Sequence, residues 1–448
     1  MSKSSLQKIY ILILGMIFVV AFGSTFYFKQ LYNDGAFWAY RVLSSGLWHT
    51  DQPYQRYTTK ILQTPSVLAV NLGGGVYLAT WLFCLGYMIY PFLMLGGFSL
   101  SKSGPRKWGV ITLFTIVFLL AIVPNWTFSV SVANEAIVFS WPLIFYVVIC
   151  EKPKVFWLLL LSLPNRFSYE AGFLFYIVAL YLLYRERKLN LASLVILSGS
   201  FLSLIYHLKF RLVDTNSHVH FFPSLRECLY SPYAYLTIVF LGIFIEFFKS
   251  KYLRLVCYAI LAMAFLFLIY VIGQHTKSQF WSYSYFNRVW SIPAAASLIV
   301  VGYEYLKRKN WTFSKSALVL FIIVGLFELY FEGMIFHSQK EIATNISGLV
   351  KKNDGCVVLS ADDWNKFQSD TYIPVWSFSM VSILYGGEYH PRTIIFPEVR
   401  VDGRIVENNF CEIVDDHFHV KDQFSHIYFP AKGNFDYSRT LNAKIRNR

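Results

Sequence analysis

The sequence predicts a polytopic α-helical membrane protein of about eleven membrane helices, followed by a small C-terminal α/β domain outside the membrane. Composition, the lengths of the apolar runs and the placement of charges support this prediction. Of the 448 residues, 56% are hydrophobic and 15% are charged, whereas soluble domains are usually about 25% charged. The apolar runs are about 16–22 residues long, enough to cross a hydrocarbon core of about 30 Å. A helix satisfies its own backbone hydrogen bonds in lipid, so the runs are predicted as helices.

The predicted spans cover residues 8–28, 76–99, 108–124, 135–150, 155–164, 170–184, 191–208, 233–248, 253–273, 290–306 and 315–334. The first is predicted to be a permanent helix, because it is too long for a signal-peptide core and no small-residue cleavage site follows it. The fifth and sixth are short and are separated by a break that begins at Pro164. They form either two short helices that meet at the outer face or a re-entrant pair.

Lysine and arginine cluster in short loops between the apolar runs and give the orientation. The clusters are Lys3 and Lys8; Lys102, Arg106 and Lys107; Lys152 and Lys154; Arg185, Arg187 and Lys188; Lys249, Lys251 and Arg254; and Lys307, Arg308 and Lys309. All fall on one side if the N-terminus is cytoplasmic, as the positive-inside rule expects. The net charge of +14 therefore indicates membrane topology and not a nucleic-acid partner. An odd number of spans places the C-terminus outside.

After His337 charged residues become frequent and the apolar runs shorten, which separates a transmembrane domain, residues 1–337, from an extracytoplasmic α/β domain, residues 338–448. In the second domain IATNISGLVKK is predicted as a helix, and DGCVVLSADDW, RTIIFPEVRV and HIYFPA as strands. Cys356 and Cys411 share this domain, and we expect a disulfide between them. The chain has no Walker A motif and no Rossmann fingerprint, which argues against ATP-driven transport by this chain alone.

Asp34 follows the first span closely, in an aromatic outer loop at residues 29–75. Its position suits a general base near the membrane surface, but Asp is also a favoured helix N-cap, and both interpretations stay open. Asp51, in the same loop, is a second candidate catalytic carboxylate or an ordinary turn residue. The aromatic residues of the loop suit an amphipathic helix at the membrane interface.

Cations are needed to stabilise a phosphate leaving group. Arg41 lies seven residues after Asp34, about two helical turns, so the two share a helix face. Arg288 precedes a late span at headgroup level, where it serves either as a phosphate ligand or as an interface anchor. Arg166 stands in the break of the short spans, where it either binds phosphate or pairs with Glu170, four residues later.

Other polar residues of the outer loops are weaker candidates. His218 and His220 could hold a divalent metal, although loop histidines are more often ordinary polar residues. The third outer loop adds His275 and Lys277. Glu135 begins a span, where a helix N-terminus favours an acidic residue for structural reasons.

The cytoplasmic N-terminus, the acidic residue after the first helix, the aromatic first outer loop and the C-terminal outer domain together resemble the GT-C glycosyltransferase superfamily. The resemblance covers the whole chain at the level of topology, and it is looser to the phage-type O-antigen glucosyltransferases. It implies that Asp34 corresponds to the superfamily's catalytic acidic residue after the first helix and Arg288 to its phosphate-binding cations. Many members carry paired acids where this chain has Asn33 and Asp34, so dependence on Mg²⁺ or Mn²⁺ stays open and no cofactor is assigned.

The resulting hypothesis is an integral membrane glycosyltransferase that moves a sugar from a polyprenyl-phosphate donor to a lipid-linked or cell-surface glycan. It would act on the outer face of a plasma membrane, the inner membrane of a bacterium, with Asp34 as general base. Its expected partners are the lipid-linked donor, the glycan acceptor and membrane lipid. The alternatives are a transporter or flippase of lipid-linked glycans and a non-catalytic membrane assembly protein. A transporter often shows internal repeats and midplane charges, neither of which is clear here.

Overall fold

The computed structural model describes residues 3–31, 34–49, 57–101, 104–122, 132–166, 172–211, 284–352, 355–360, 375–386 and 393–397, and the short segments 400–401, 404–405, 411–414 and 417–420. This part of the chain is mostly helical. Its helices are α1 (Lys3–Thr25), α2 (Asp34–Ser45), α3 (Tyr57–Asn71), α4 (Val76–Ser99), α5 (Pro105–Val117), α6 (Val132–Ile149), α7 (Val155–Arg166), α8 (Phe173–Arg185), α9 (Leu191–Arg211), α10 (Ser284–Arg308), α11 (Lys315–Lys352) and α12 (Val375–Gly386). A 3-10 turn occupies Lys29–Leu31, and α5 continues into a π-helix at Phe118–Ile122.

Within the described residues, three helices are long and apolar enough to cross a membrane. They are Ser5–Thr25 of α1, Val76–Ser99 of α4 and Lys315–Lys352 of α11. Shorter apolar helices coincide with the other predicted spans as far as residue 208, and α10 covers the predicted span 290–306. The predicted spans 233–248 and 253–273 lie outside the described residues. The count of about eleven spans therefore stays a prediction.

The helices α1 and α11 run side by side in the same direction. The Tyr10 and Phe321 rings are 6.3 Å apart, and further along the pair a Cβ on Gly23 would lie 3.3 Å from the Phe336 ring. Between these points Gly325 permits a close approach, because a Cβ there would lie 2.8 Å from a methyl carbon of Ile13. The start of α11 therefore lies at the same end of the molecule as the start of α1.

The basic loops after α4, α8 and α10 meet at one end of the bundle, which we call the basic end. There Glu186 pairs with Arg106, with Lys307 at 3.1 Å and with Lys188 at 3.6 Å. The Lys188 ammonium also donates to the carbonyl oxygen of Val147 near the end of α6. This clustering agrees with the one-sided placement predicted from the sequence. The opposite end, where α1 finishes and α2 begins, is called the far end.

The break between the fifth and sixth spans was predicted to begin at Pro164, but α7 continues through Pro164 to Arg166, and α8 begins at Phe173. These helices have 12 and 13 residues, which is about 18–20 Å and short of a bilayer core of about 30 Å. The Asn165 amide donates to the carbonyl oxygen of Gly172 at 2.9 Å, and the Tyr176 hydroxyl donates to the carbonyl oxygen of Ser162 at 2.9 Å. These bonds hold the two short helices together as a hairpin.

Helix α11 continues for 38 residues and passes the predicted domain boundary at residue 337 without a break. Beyond it, strands β1 (Gly355–Leu359) and β2 (Thr393–Pro397) pair in parallel, and α12 packs against β2, α11 and α2. Two antiparallel pairs follow, formed by β3 (Arg400–Val401) with β4 (Arg404–Ile405) and by β5 (Cys411–Val414) with β6 (His417–Val420). A separate extracytoplasmic α/β domain at residues 338–448 stays a prediction.

Of the cysteines whose side chains are described, Cys84 and Cys150 are free thiols. The backbones of Cys356 and Cys411 lie in β1 and β5. Their side chains lie outside the described part of the structure, as does the predicted strand HIYFPA. The expected disulfide therefore stays a prediction.

Candidate functional site

Two helices, α2 and α3, separate the first apolar helix from α4 at the far end. Helix α2 begins at Asp34, three residues after the 3-10 turn that ends at Leu31. The Asp34 side chain is outside the described residues, so the general-base and N-cap interpretations both stay open. The backbone does place Asp34 at the end of the bundle opposite the basic loops.

Helix α2 is buried in the protein rather than exposed at the membrane interface. Trp38 and Tyr40 are 2% and 1% exposed, and the Trp38 ring lies 6.4 Å from the ring of Tyr87 on α4. Trp38 and Tyr40 are therefore core residues, because α12, α3 and α4 cover α2, whereas Trp48 and Tyr57 of the same outer loop are 46% and 45% exposed.

The loop after α2 is fixed to α3 by the side chain of Gln63. The Gln63 amide nitrogen donates to the carbonyl oxygen of His49 at 2.7 Å, and the His49 backbone N–H donates back to the Gln63 amide oxygen at 2.8 Å. The same amide nitrogen lies 3.2 Å from the Tyr87 hydroxyl. Gln63 is fully buried, so these bonds form where water does not compete with them.

Two further bonds hold the same loop. The Asn71 amide donates to the carbonyl oxygen of Gly46 at 2.8 Å, and the Trp48 indole donates to the Thr64 hydroxyl at 3.1 Å. Gly46 has φ +66°, a left-handed conformation that glycine adopts without steric penalty. The loop therefore leaves α2 in a defined direction as far as His49. Asp51 follows outside the described residues.

Arg41 and His49 differ in their charge near neutral pH. The Arg41 guanidinium lies over the Phe37 ring at 5.4 Å from its centroid. Burial and the nearby Arg41 charge lower the pKa of His49 to about 4, and burial lowers the pKa of Arg41 from its usual value. Near neutral pH the arrangement therefore presents one cation beside a neutral imidazole.

Glu135 lies in the first turn of α6. It is fully buried and accepts hydrogen bonds from the Thr58 hydroxyl at 3.0 Å and the Thr59 hydroxyl at 2.9 Å. Its neighbour Asn134 is 2% exposed, and neither atom of its amide has a hydrogen-bond partner within the described residues. A buried amide without partners is unfavourable by about 1–3 kcal/mol for each group, which makes Asn134 a candidate ligand-binding side chain.

Close packing of α3 on α4 places Gln63 beside Tyr87. A Cβ on Gly86 would lie 2.1 Å from the carbonyl oxygen of Leu62, so only glycine permits this separation. Thr59 and Gln63 lie about one turn apart on α3. We call the resulting group the polar cluster; its members are Arg41, His49, Thr58, Thr59, Gln63, Tyr87, Asn134 and Glu135.

A buried ion pair lies at the same end of the bundle. The Lys29 ammonium of the 3-10 turn is 2.6 Å from a carboxylate oxygen of Glu332 on α11, and their side chains are 2% and 0% exposed. Neither residue was predicted from the sequence as a site residue. A lysine at the end of an apolar run resembles an ordinary interface residue, and its partner is 303 positions away.

The structure brings only some of the sequence-predicted residues together. Arg41 belongs to the polar cluster, whereas Arg166 ends α7 and belongs to the hairpin with α8. Arg288 lies in the first turns of α10, and its side chain is outside the described residues. The candidates wholly outside the described residues are Asp51, Glu170, His218, His220, His275 and Lys277.

A metal site is not apparent in the described part of the chain, where no group of three or more His, Cys, Asp or Glu residues could hold an ion. Glu135 was interpreted from the sequence as a helix-terminal acid. The two threonine hydroxyls that approach it are more than 70 positions away, and no local pattern indicates that contact.

No protein-family model, curated protein or solved structure matches this chain. The geometry of the polar cluster is therefore the basis for a functional proposal.

Proposed function

We propose that the protein is a membrane glycosyltransferase of the GT-C type. It transfers a sugar from a polyprenyl-phosphate donor to a hydroxyl of a lipid-linked or cell-surface glycan. In this proposal about eleven helices span the inner membrane of a bacterium. The basic end faces the cytoplasm, and the far end, with the α/β domain of residues 338–448, faces outward.

The observation that supports the proposal best is a buried polar cluster at the far end, beside the helix that Asp34 begins. Buried ionisable and amide side chains in an apolar helical bundle are unfavourable unless they bind something or one another. Five elements contribute them: α2, the loop after it, α3, α4 and α6. This position suits a donor whose lipid tail stays in the bilayer while its phosphate and sugar reach the surface.

The residue types fit the chemistry of sugar transfer. Asp34 accepts the proton of the attacking hydroxyl. Arg41 stabilises the charge that develops on the phosphate leaving group, because a guanidinium binds phosphate through paired donors. Arg288 and Arg166 remain further candidates for that role.

Two polar side chains near the start of α6 suit the sugar. Asn134 offers both a donor and an acceptor, as sugar hydroxyls require. Glu135 is held by Thr58 and Thr59 and can accept a hydrogen bond from a further hydroxyl group.

Transfer by purified protein in proteoliposomes tests the proposal. The donors are polyprenyl phosphates that carry radiolabelled glucose, galactose or mannose, and the acceptors are lipid-linked glycans. Asp34→Asn should lower the rate by about 10²–10⁴, the usual contribution of a general base. The matched control is Glu341→Gln, because Glu341 is an exposed carboxylate on α11 that pairs with His337.

A second comparison separates phosphate binding from simple anchoring. Arg41→Gln should weaken donor binding more than acceptor binding, and Arg41→Lys should restore it only in part. The same pair of substitutions at Arg288 tests the sequence-based assignment. Parental transfer by Asp34→Asn would contradict the general-base role, and movement of intact donor across the bilayer without transfer would favour a flippase.

The orientation is tested separately by reporter fusions at residues 104 and 340. The proposal requires a cytoplasmic signal at 104 and an external signal at 340. A cytoplasmic signal at 340 would remove the outer-face assignment of the polar cluster.

A further inference from the structure

The short segment that precedes Asp34 is held in place by the C-terminal part of the chain. Lys29 pairs with Glu332 at 2.6 Å where both side chains are buried. The partner belongs to α11, the helix that leads into β1. The first contact therefore links the 3-10 turn before α2 to an element that lies more than 300 positions later.

A second contact comes from α12. The Tyr385 hydroxyl donates to the carbonyl oxygen of Tyr27 at 2.5 Å, and its ring lies 5.3 Å from the Phe28 ring. Phe28 has φ +53°, a conformation that is unfavourable for a non-glycine residue and persists when its surroundings hold it. Tyr385 thus contacts the point at which the chain turns away from α1.

Helix α12 is itself held to β2. The Ile395 backbone N–H donates to the Ser382 hydroxyl at 3.1 Å, within the buried face of the helix. Helix α12 also packs against α2 directly. The strand, α12 and α11 therefore form a connected support beneath the segment from Tyr27 to Lys29.

We infer that Glu332 and Tyr385 are positioning residues that fix where the Asp34 helix begins, so the C-terminal part of the chain is a functional component of the site. This inference rests on the proposed function, since it assigns Asp34 a place in the reaction. A buried ion pair is weak evidence for stability but can specify one arrangement of the elements it joins. The Lys29–Glu332 bond and the Tyr385 hydroxyl bond both set direction as well as distance.

Amide hydrogen exchange of the full-length protein in nanodiscs tests the positioning without any substrate. Glu332→Gln and Tyr385→Phe should each raise exchange of the amides of residues 29–38 by more than about tenfold, because local opening governs exchange there. The matched control is Glu304→Gln at the basic end, which removes a carboxylate that also pairs at 2.6 Å, with Arg185. Unchanged exchange at residues 29–38 in both variants would overturn the inference.

Kinetics separates positioning from a merely structural role. With polyprenyl-phosphate glucose, galactose or mannose as donor, Glu332→Gln should lower kcat per folded molecule by about 10²-fold and leave KM for the donor unchanged, as expected from a displaced catalytic group. The double variant Lys29→Met with Glu332→Leu removes both charges, so it should fold. The kcat of this double variant should stay low, because an apolar contact does not fix the orientation of the segment that leads into α2.

Parental kcat in the folded fraction of both the Glu332→Gln and the double variant would contradict the positioning role. If the parent protein transfers no sugar from any of the three donors, the proposed function fails. The exchange experiment still decides whether the C-terminal part fixes the start of α2.

Discussion

The basic end and the far end of the bundle differ in how far their ion pairs are exposed to water. At the basic end, Glu186 is approached by Arg106, Lys188, Lys307 and the Tyr303 hydroxyl. Two of these cations are substantially exposed, with side-chain exposures of 30% for Arg106 and 38% for Lys307. The Glu186 carboxylate therefore interacts with several cations at once, and water screens the charges of the exposed ones.

At the far end, the Lys29–Glu332 ion pair and the Glu135 carboxylate are buried. Lys29 meets Glu332, and Glu135 accepts hydrogen bonds from two threonines. Loss of one partner there leaves a charge or a dipole in a low-dielectric interior. The expected consequence is that removing one member of the buried Lys29–Glu332 pair destabilises the protein more than removing one member of the partly exposed Arg185–Glu304 pair.

The largest effect should follow from breaking the buried ion pair. Lys29→Met should lower the free energy of unfolding by about 3–5 kcal/mol, because it removes the ammonium that lies 2.6 Å from the buried Glu332 carboxylate. Arg185→Met breaks a partly exposed pair at the basic end and should lower the free energy of unfolding much less, because water screens exposed ion pairs. Denaturation in detergent measures both, and equal losses would contradict the distinction between the two ends.

An intermediate effect should follow at Glu135. Thr59→Val keeps the shape of the side chain and removes its hydroxyl, so the carboxylate loses a charge-assisted hydrogen bond worth about 1.5–3 kcal/mol. Thr112→Val is the control, since the Thr112 hydroxyl bonds only to the carbonyl oxygen of Trp108 at an exposed position among the described contacts. A parental melting temperature for Thr59→Val would show that Glu135 does not depend on this bond.

Lowering the pH should destabilise the protein in part through protonation of Glu186 at the basic end. Burial alone would raise the pKa of this carboxyl, but hydrogen bonds from Tyr303, Arg106 and Lys307 outweigh it and lower the pKa to about 2. The contribution of Glu186 to the free energy of unfolding is therefore complete above pH 4.5, the ordinary pKa of the group, and is lost as the pH falls from 4.5 toward 2. Unfolding measured from pH 6 to pH 3 should lose part of its pH dependence in Glu186→Gln, and an unaltered profile would contradict the network.

A further pH-dependent effect should come from His49, at higher pH. Its pKa is lowered from 6.5 to about 4, so the unfolded chain binds a proton that the folded protein does not. Stability should fall as the pH decreases from 6.5 toward 4, and His49→Gln should remove that decrease. The same titration distinguishes the ends, since Glu186→Gln should leave this upper window unchanged.

Local patterns predicted the helices well where a single apolar run defines them. The predicted span 76–99 and helix α4 share the same bounds. A span at 315–334 and a separate later helix were predicted, but the structure has one continuous helix, α11, over both. Glu328, Glu332 and His337 interrupt the apolar pattern, but these residues do not interrupt a helix.

The candidate site was less predictable, because its contacts are long-range. Asp34 and Arg41 could be selected from their spacing after the first span. Glu135 depends on threonines in another helix, and Lys29 depends on a carboxylate 303 positions away. Sequence periodicity contains no information about which distant groups will share a buried position.

The length of α11 has a mechanical consequence. At 38 residues it extends about 57 Å, nearly twice the thickness of a bilayer core. Because the helix continues past residue 337, the described structure has no joint between the part that packs on α1 and the part that leads into β1. A force or a binding event at β1 would therefore be transmitted along a stiff rod for about six turns to Glu332.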